Sequence, residues 1–165
     1  MSHRVDPGFG GERALGDKCA LPSSLYTGVR YKPLLTGGMA LLAGGAMPLA
    51  FAPVGWAWLA VIALATFFVL TAQSSRRQAL WSAYLFGLGY FGVGVSWVFI
   101  SISQYGNGPV VAVLVTAAFV SLLALFPWGV AYLVRCLRPE MDAMALWLGL
   151  PAAWVLSEWM RTWFL

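Results

Sequence analysis

No charged residue occurs between Pro33 and Ser75, and none again between Gln78 and Val134. The pair Arg76-Arg77 is the only interruption between these two runs. A soluble domain needs charge on its surface, and charged side chains make up just 10% of these 165 residues. Each uncharged run exceeds the about 20 apolar residues that cross a bilayer, so each is expected to hold two crossings. With 61% apolar residues and a mean hydropathy of +0.78, the chain reads as an all-α membrane protein. The architecture expected is a multi-pass transmembrane bundle of about five helices.

The crossings are expected at 34–50, 54–72, 80–100, 110–134 and 143–163. Pro48 to Pro53 makes a tight turn between the first two, because proline ends the helical ladder. Trp56 and Trp58 open the second crossing as interfacial anchors, and Pro127 is expected to kink the fourth. Residues 1–33 mix Gly, Pro, Ser and scattered charge and read as a polar, disordered leader. Arg30 with Lys32, Arg76 with Arg77, and Arg135 with Arg138 fall at every second boundary. The intervening loops, 51–55 and 101–109, carry no charge. By the positive-inside rule the N-terminus and the arginine-bearing turns are cytoplasmic, and the end of the fifth crossing lies on the outer side. The net charge of +4 therefore reads as a topology signal rather than as a nucleic-acid surface, and no nucleic-acid partner is expected.

Gly87-Leu88-Gly89-Tyr90-Phe91-Gly92 matches a dinucleotide-binding pattern by letter, but that pattern works only between a strand and a helix. In mid-crossing the small residues Ala79, Ala83 and Gly87, then Gly92 and Ser96, read instead as surfaces for close helix packing. Cys19 and Cys136 have no metal-ligand or disulfide spacing, and no metal is expected. No histidine lies in any crossing, and no acid or lysine lies in mid-membrane. Those absences argue against histidine-dependent intramembrane chemistry and against an ion-coupled transporter core.

Glu158 and Arg161 are three apart, so they share one helix face and are expected to pair near the outer interface. Their bland role is to end the crossing; the functional alternative is a polar contact to lipid head groups or to an outer domain. Trp97 and Tyr105, with the serines and Gln104 between them, form a polar, aromatic outer rim. That rim is an aromatic belt, or else a mouth through which a lipid or lipidated peptide passes.

The order of three segments is similar to one known family. The stretch Leu41 to Pro53, with Gly44-Gly45 and Leu49-Ala50-Phe51-Ala52-Pro53, resembles the opening crossing of bacterial apolipoprotein N-acyltransferases. Gly92 to Ile102, containing Ser96-Trp97-Val98-Phe99, and the short Gly-containing loop Tyr105 to Pro109 resemble a second segment of that family. Pro151 to Trp163, with Trp154, Glu158, Arg161 and Trp163, resembles a third. The resemblance covers about residues 34 to 165.

The resemblance implies an acyltransferase of the bacterial inner membrane that needs no cofactor. Its donor would be a membrane phospholipid and its acceptor the free amine of a diacylated apolipoprotein, the last step of lipoprotein maturation. The family's chemistry resides in an outer nitrilase-like domain, where a Cys nucleophile, a Glu base and a Lys work through an acyl-thioester. That domain has no counterpart in residues 1–165, so no catalytic residue is carried over. The chain is expected to be the membrane-anchoring front third of such an enzyme, without its C-terminal catalytic region and inactive alone. The candidates left for substrate or lipid access are Trp97, Tyr105, Glu158 and Arg161. Two other classes stay open: a small non-enzymatic multi-pass membrane protein with a structural or partner-binding role, and a piece of an unrelated transporter.

Overall fold

The computed structural model describes residues 33–51, 55–104, 108–139 and 141–164, and all regular structure in them is helical. The expected disordered leader lies, but for Pro33, outside the described residues. Helix α1 spans Pro33–Ala46 and tightens into a 3₁₀ turn, Met47–Ala50, where Pro48 withdraws a backbone donor. Phe51 N–H bonds back to Pro48 O at 3.1 Å, and Gly55 takes a left-handed φ of 69° that a side chain would resist. Helix α2 follows at Ala57–Gln73, and α3 at Arg76–Gly94.

The third apolar stretch is not one straight helix. It breaks at Val95 and continues as α4, Ser96–Gln104, with a bend of 48°. Ser96 Oγ donates to Val93 O at 3.0 Å across the break, and Gly92 and Gly94 make the bend cheap. The fourth stretch comprises α5, Gly108–Leu123, and α6, Leu125–Leu137, separated at Ala124. Pro127 supplies no N–H to Leu123, and the neighbouring Trp128 N–H reaches Ala124 O only at 3.4 Å. The two pieces still form one 30-residue helix, Gly108–Leu137, long and apolar enough to cross a membrane; α3 with α4 passes the same test as a bent pair.

In the fifth stretch Asp142 caps the helix start, its Oδ1 accepting from Ala145 N–H at 2.8 Å. A π-helical turn, Ala145–Gly149, then leads into α7, Leu150–Phe164. Leu150 N–H bonds to Ala145 O, five residues back, one position ahead of Pro151. The ladder thus widens where proline is about to remove a donor.

Glycines mark two of the closest interfaces in the bundle. Helices α1 and α3 meet backbone to backbone at glycines: a Cβ on Gly44 would collide with Phe86 O, and one on Gly89 with Leu41 O. On another side of α3, a Cβ on Gly87 would come within 2.7 Å of Ala124 Cα, so the break between α5 and α6 sits against Gly87. Ala79 and Ala83 are likewise buried, which fits a packing surface, whereas Gly92 has open space around it and Ser96 is exposed. The second pair of small residues therefore belongs to the bend and not to packing. Phe67, Phe86 and Trp154 close the core as a ring triangle with centroids 4.8, 5.5 and 6.0 Å apart, tying α2, α3 and α7 together.

Candidate functional site

The triangle fixes the position of α7, and with it the two ionisable groups farther along that helix. Glu158 and Arg161 follow Trp154 at four and seven residues, so all three lie along one helix face. Trp154 packs against Phe86 and Tyr90 of α3, which turns that face toward the far end of α3. Arg161 Nη2 lies 2.5 Å from Glu158 Oε2, with the two side chains 24% and 34% exposed. The guanidinium also stands 5.5 Å over the Phe91 ring.

Beside this pair is a cavity of about 600 Å³ whose walls include Pro48, Leu49, Phe51, Phe91 and Ser96. Among the described residues, Arg161 is the one charged member of its walls. A guanidinium offers five donors in a fixed fork, and one contact with Glu158 leaves others to point elsewhere. A mostly apolar hollow with one such group suits an amphiphile carrying an acceptor-rich head. Among the described residues its polar wall groups are this guanidinium and the hydroxyls of Tyr90 and Ser96, which can bind and orient a polar head. Among the described residues no cluster of His, Cys, Asp and Glu is placed to hold a metal ion.

The opposite end of α3, about 22 Å away at 1.5 Å per residue from Arg76 to Phe91, uses arginine differently. Arg135 Nη2 donates to three backbone carbonyls: Thr71 at 2.5 Å, Ala72 at 3.4 Å, and Ser74. These groups end α2, whose last carbonyls have no partner within the helix. Arg76 donates to Cys136 Sγ at 3.6 Å and lies 5.8 Å over the Tyr132 ring. Arg138 pairs with Asp142 at 3.1 Å and is exposed.

Of the residues singled out from sequence, Glu158 and Arg161 are therefore brought together at a cavity. Trp97 is 63% exposed on α4 and is not in the cavity wall, although its neighbour Ser96 is. Tyr105 lies outside the described residues, as does Cys19. Two features carried no usable sequence signal. The Pro48–Phe51 turn, read as a connection, supplies cavity wall; Arg135, read as a topology marker, caps a helix end 61 to 64 residues upstream.

The N-terminal domain of an acyltransferase is the class that comparison with known proteins returns. Residues 43–165 match the family described as the apolipoprotein N-acyltransferase N-terminal domain, and the chain belongs to that family. It is 43% identical over 136 residues to an apolipoprotein N-acyltransferase of Methylococcus capsulatus, covering 76% of this chain and 25% of that one. Its identity to the protein of the same name from Coxiella burnetii is 40% over 127 residues, covering 75% and 26%. For Ralstonia nicotianae the figures are 40% over 129 residues, 74% and 24%. The chain spans about a quarter of the length of the curated relatives it matches.

Proposed function

We propose that this chain forms the membrane-embedded N-terminal part of an apolipoprotein N-acyltransferase, in the inner membrane of a bacterium. In the whole enzyme an acyl chain passes from a phospholipid to the amine of a diacylated apolipoprotein. The part played by this stretch is to hold an amphiphilic substrate at the Arg161 cavity, with acyl chain among the apolar walls and polar head against the guanidinium. The observation that carries the reading is this placement: an ion pair and one cavity, inside the family-matched region, at the end of the bundle that has no other described charge.

A multi-pass arrangement is supported by the helix surfaces. Val110, Val113 and Leu114 of α5 are 70%, 54% and 65% exposed, a surface suited to lipid or to further membrane helices rather than to water. The alternation of arginine-bearing and charge-free boundaries supports a cytoplasmic N-terminus, with Glu158 and Arg161 toward the outer face. Cys136 is unsuited to the role of nucleophile, because it sits beside Arg76, at the end of the bundle opposite the Arg161 cavity. Thioester chemistry needs a thiolate, a base and an oxyanion partner together on the substrate side.

The test is a graft. This chain replaces the matching quarter of the Methylococcus capsulatus relative, and triacylated product is measured from a diacylated lipopeptide and phospholipid. The graft is expected to be active, and the 165-residue chain alone to yield no product and no acyl-enzyme. A folded graft without activity, or an acyl group on Cys19 or Cys136 that passes to the lipopeptide, would contradict the proposal.

A further inference from the structure

At the arginine-bearing end, two grooves run along opposite flanks of one exposed aromatic residue, Trp81 of α3. One, of about 430 Å³, lies toward α6 and is walled by Leu80, Tyr84, Leu125 and Trp128. The other, of about 590 Å³, lies toward α1 and includes Leu34, Gly37 and Leu85. Arg77 and Trp81 belong to both. Gly37 lets Leu85 close the floor of the second groove, since a Cβ there would meet Leu85 Cδ1 at 2.8 Å.

Arg77 differs from the other arginines at this end. Arg76 is held by Cys136 and Tyr132, Arg135 by the end of α2, and Arg138 by Asp142. Arg77 has no hydrogen bond or ion pair among the described residues, and it is exposed. From Arg77, in the first turn of α3, to Leu85 the groove descends about 12 Å at 1.5 Å per residue. Among the described residues, one free cation at the mouth of two mostly apolar channels is the complement of a molecule with one anionic head and two apolar tails.

We propose that a glycerophospholipid straddles Trp81, its phosphate on Arg77 and one acyl chain in each groove. Guanidinium and phosphate form charge-assisted, fork-shaped hydrogen bonds, and the indole wedge separates the chains. This site is distinct from the Arg161 cavity, at the other end of α3, and is a resident lipid site rather than a substrate site. It rests on the membrane-embedded reading above, which the activity graft and a topology reporter judge separately.

Native mass spectrometry of the full chain, released from detergent with phosphatidylglycerol added, reads the site directly. The wild type is expected to retain one phosphatidylglycerol, and R77Q to bind it about tenfold more weakly, the scale of one charged hydrogen bond. R77K should recover part of the loss, and R138Q should change nothing. Two exposed rim residues allow the grooves to be filled without touching the core: L34W and L125W should each weaken retention while leaving Arg77 in place. Inorganic phosphate alone should not compete at millimolar concentration. Retention unchanged in R77Q, no retained lipid in the wild type, full retention in both groove-filling variants, or displacement by phosphate would each overturn the proposal. Unchanged melting temperatures across the set exclude misfolding as the cause of any loss.

Discussion

Arg135 and Arg161 are the same residue type at opposite ends of one bundle, and they do different work. Arg135 turns inward to backbone and satisfies the carbonyls that α2 leaves open, so its partners exist wherever the fold exists. Arg161 meets a single carboxylate one helical turn away and an aromatic face, and its remaining donors border a cavity. A cation whose partners are backbone groups of a distant helix is structural; one paired locally at the edge of a hollow is free to recognise something else. Charge count alone, which reads both as boundary markers, does not separate them.

The comparison breaks first if the helix that joins the two ends is not held as described. Replacing Gly44 or Gly89 with Val should destabilise the bundle by about 3 kcal/mol, because the added atoms meet backbone and not a flexible side chain. Gly92→Ala, with open space around it, should be neutral or stabilise by about 0.5–1 kcal/mol. Both are read from unfolding in mixed detergent. If Gly92→Ala were as costly as Gly44→Val, the packing surface would have been misplaced.

Next in size is Arg135→Ala, expected to cost about 2 kcal/mol by leaving the end of α2 without its charged donor. Arg135→Lys should recover part of this, since an ammonium lacks the fork that spans several carbonyls. Arg161→Ala should cost about 1 kcal/mol or less, as an i,i+3 pair with partly exposed side chains. Smallest is Arg138→Ala, within about 0.5 kcal/mol for an exposed i,i+4 pair. A loss at Arg161 equal to that at Arg135 would erase the distinction between the two ends.

Helical class was legible because charge-free apolar runs leave few alternatives, and the Glu158–Arg161 pair because three-residue spacing puts both on one face. The break at Val95 was legible in principle: Gly92, Gly94 and Ser96 are bend formers, but the same residues also suit helix packing, and only their surroundings decide. The α1–α3 contact was half legible, since Gly44-Gly45 stood out while its partner Gly89 was hidden inside a misleading letter pattern. The cavity was not legible, because its walls come from the Pro48–Phe51 turn, the α3–α4 bend and α7, far apart in sequence. Arg135 was not either, for a similar reason: nothing near it in sequence announces carbonyls of α2.

A periplasmic reporter fused after Leu165 is expected to be active, and a cytoplasmic one silent, which places the Arg161 end outside. The most direct test of the account uses the graft into the Methylococcus capsulatus relative, carrying either Arg161→Ala or Arg135→Ala. Two quantities are measured, folded protein per cell and triacylated product per folded molecule. Arg161→Ala is expected to lower product per molecule at nearly normal folded yield, whereas Arg135→Ala should lower yield and leave product per molecule unchanged. Full turnover in the folded Arg161→Ala protein would contradict it.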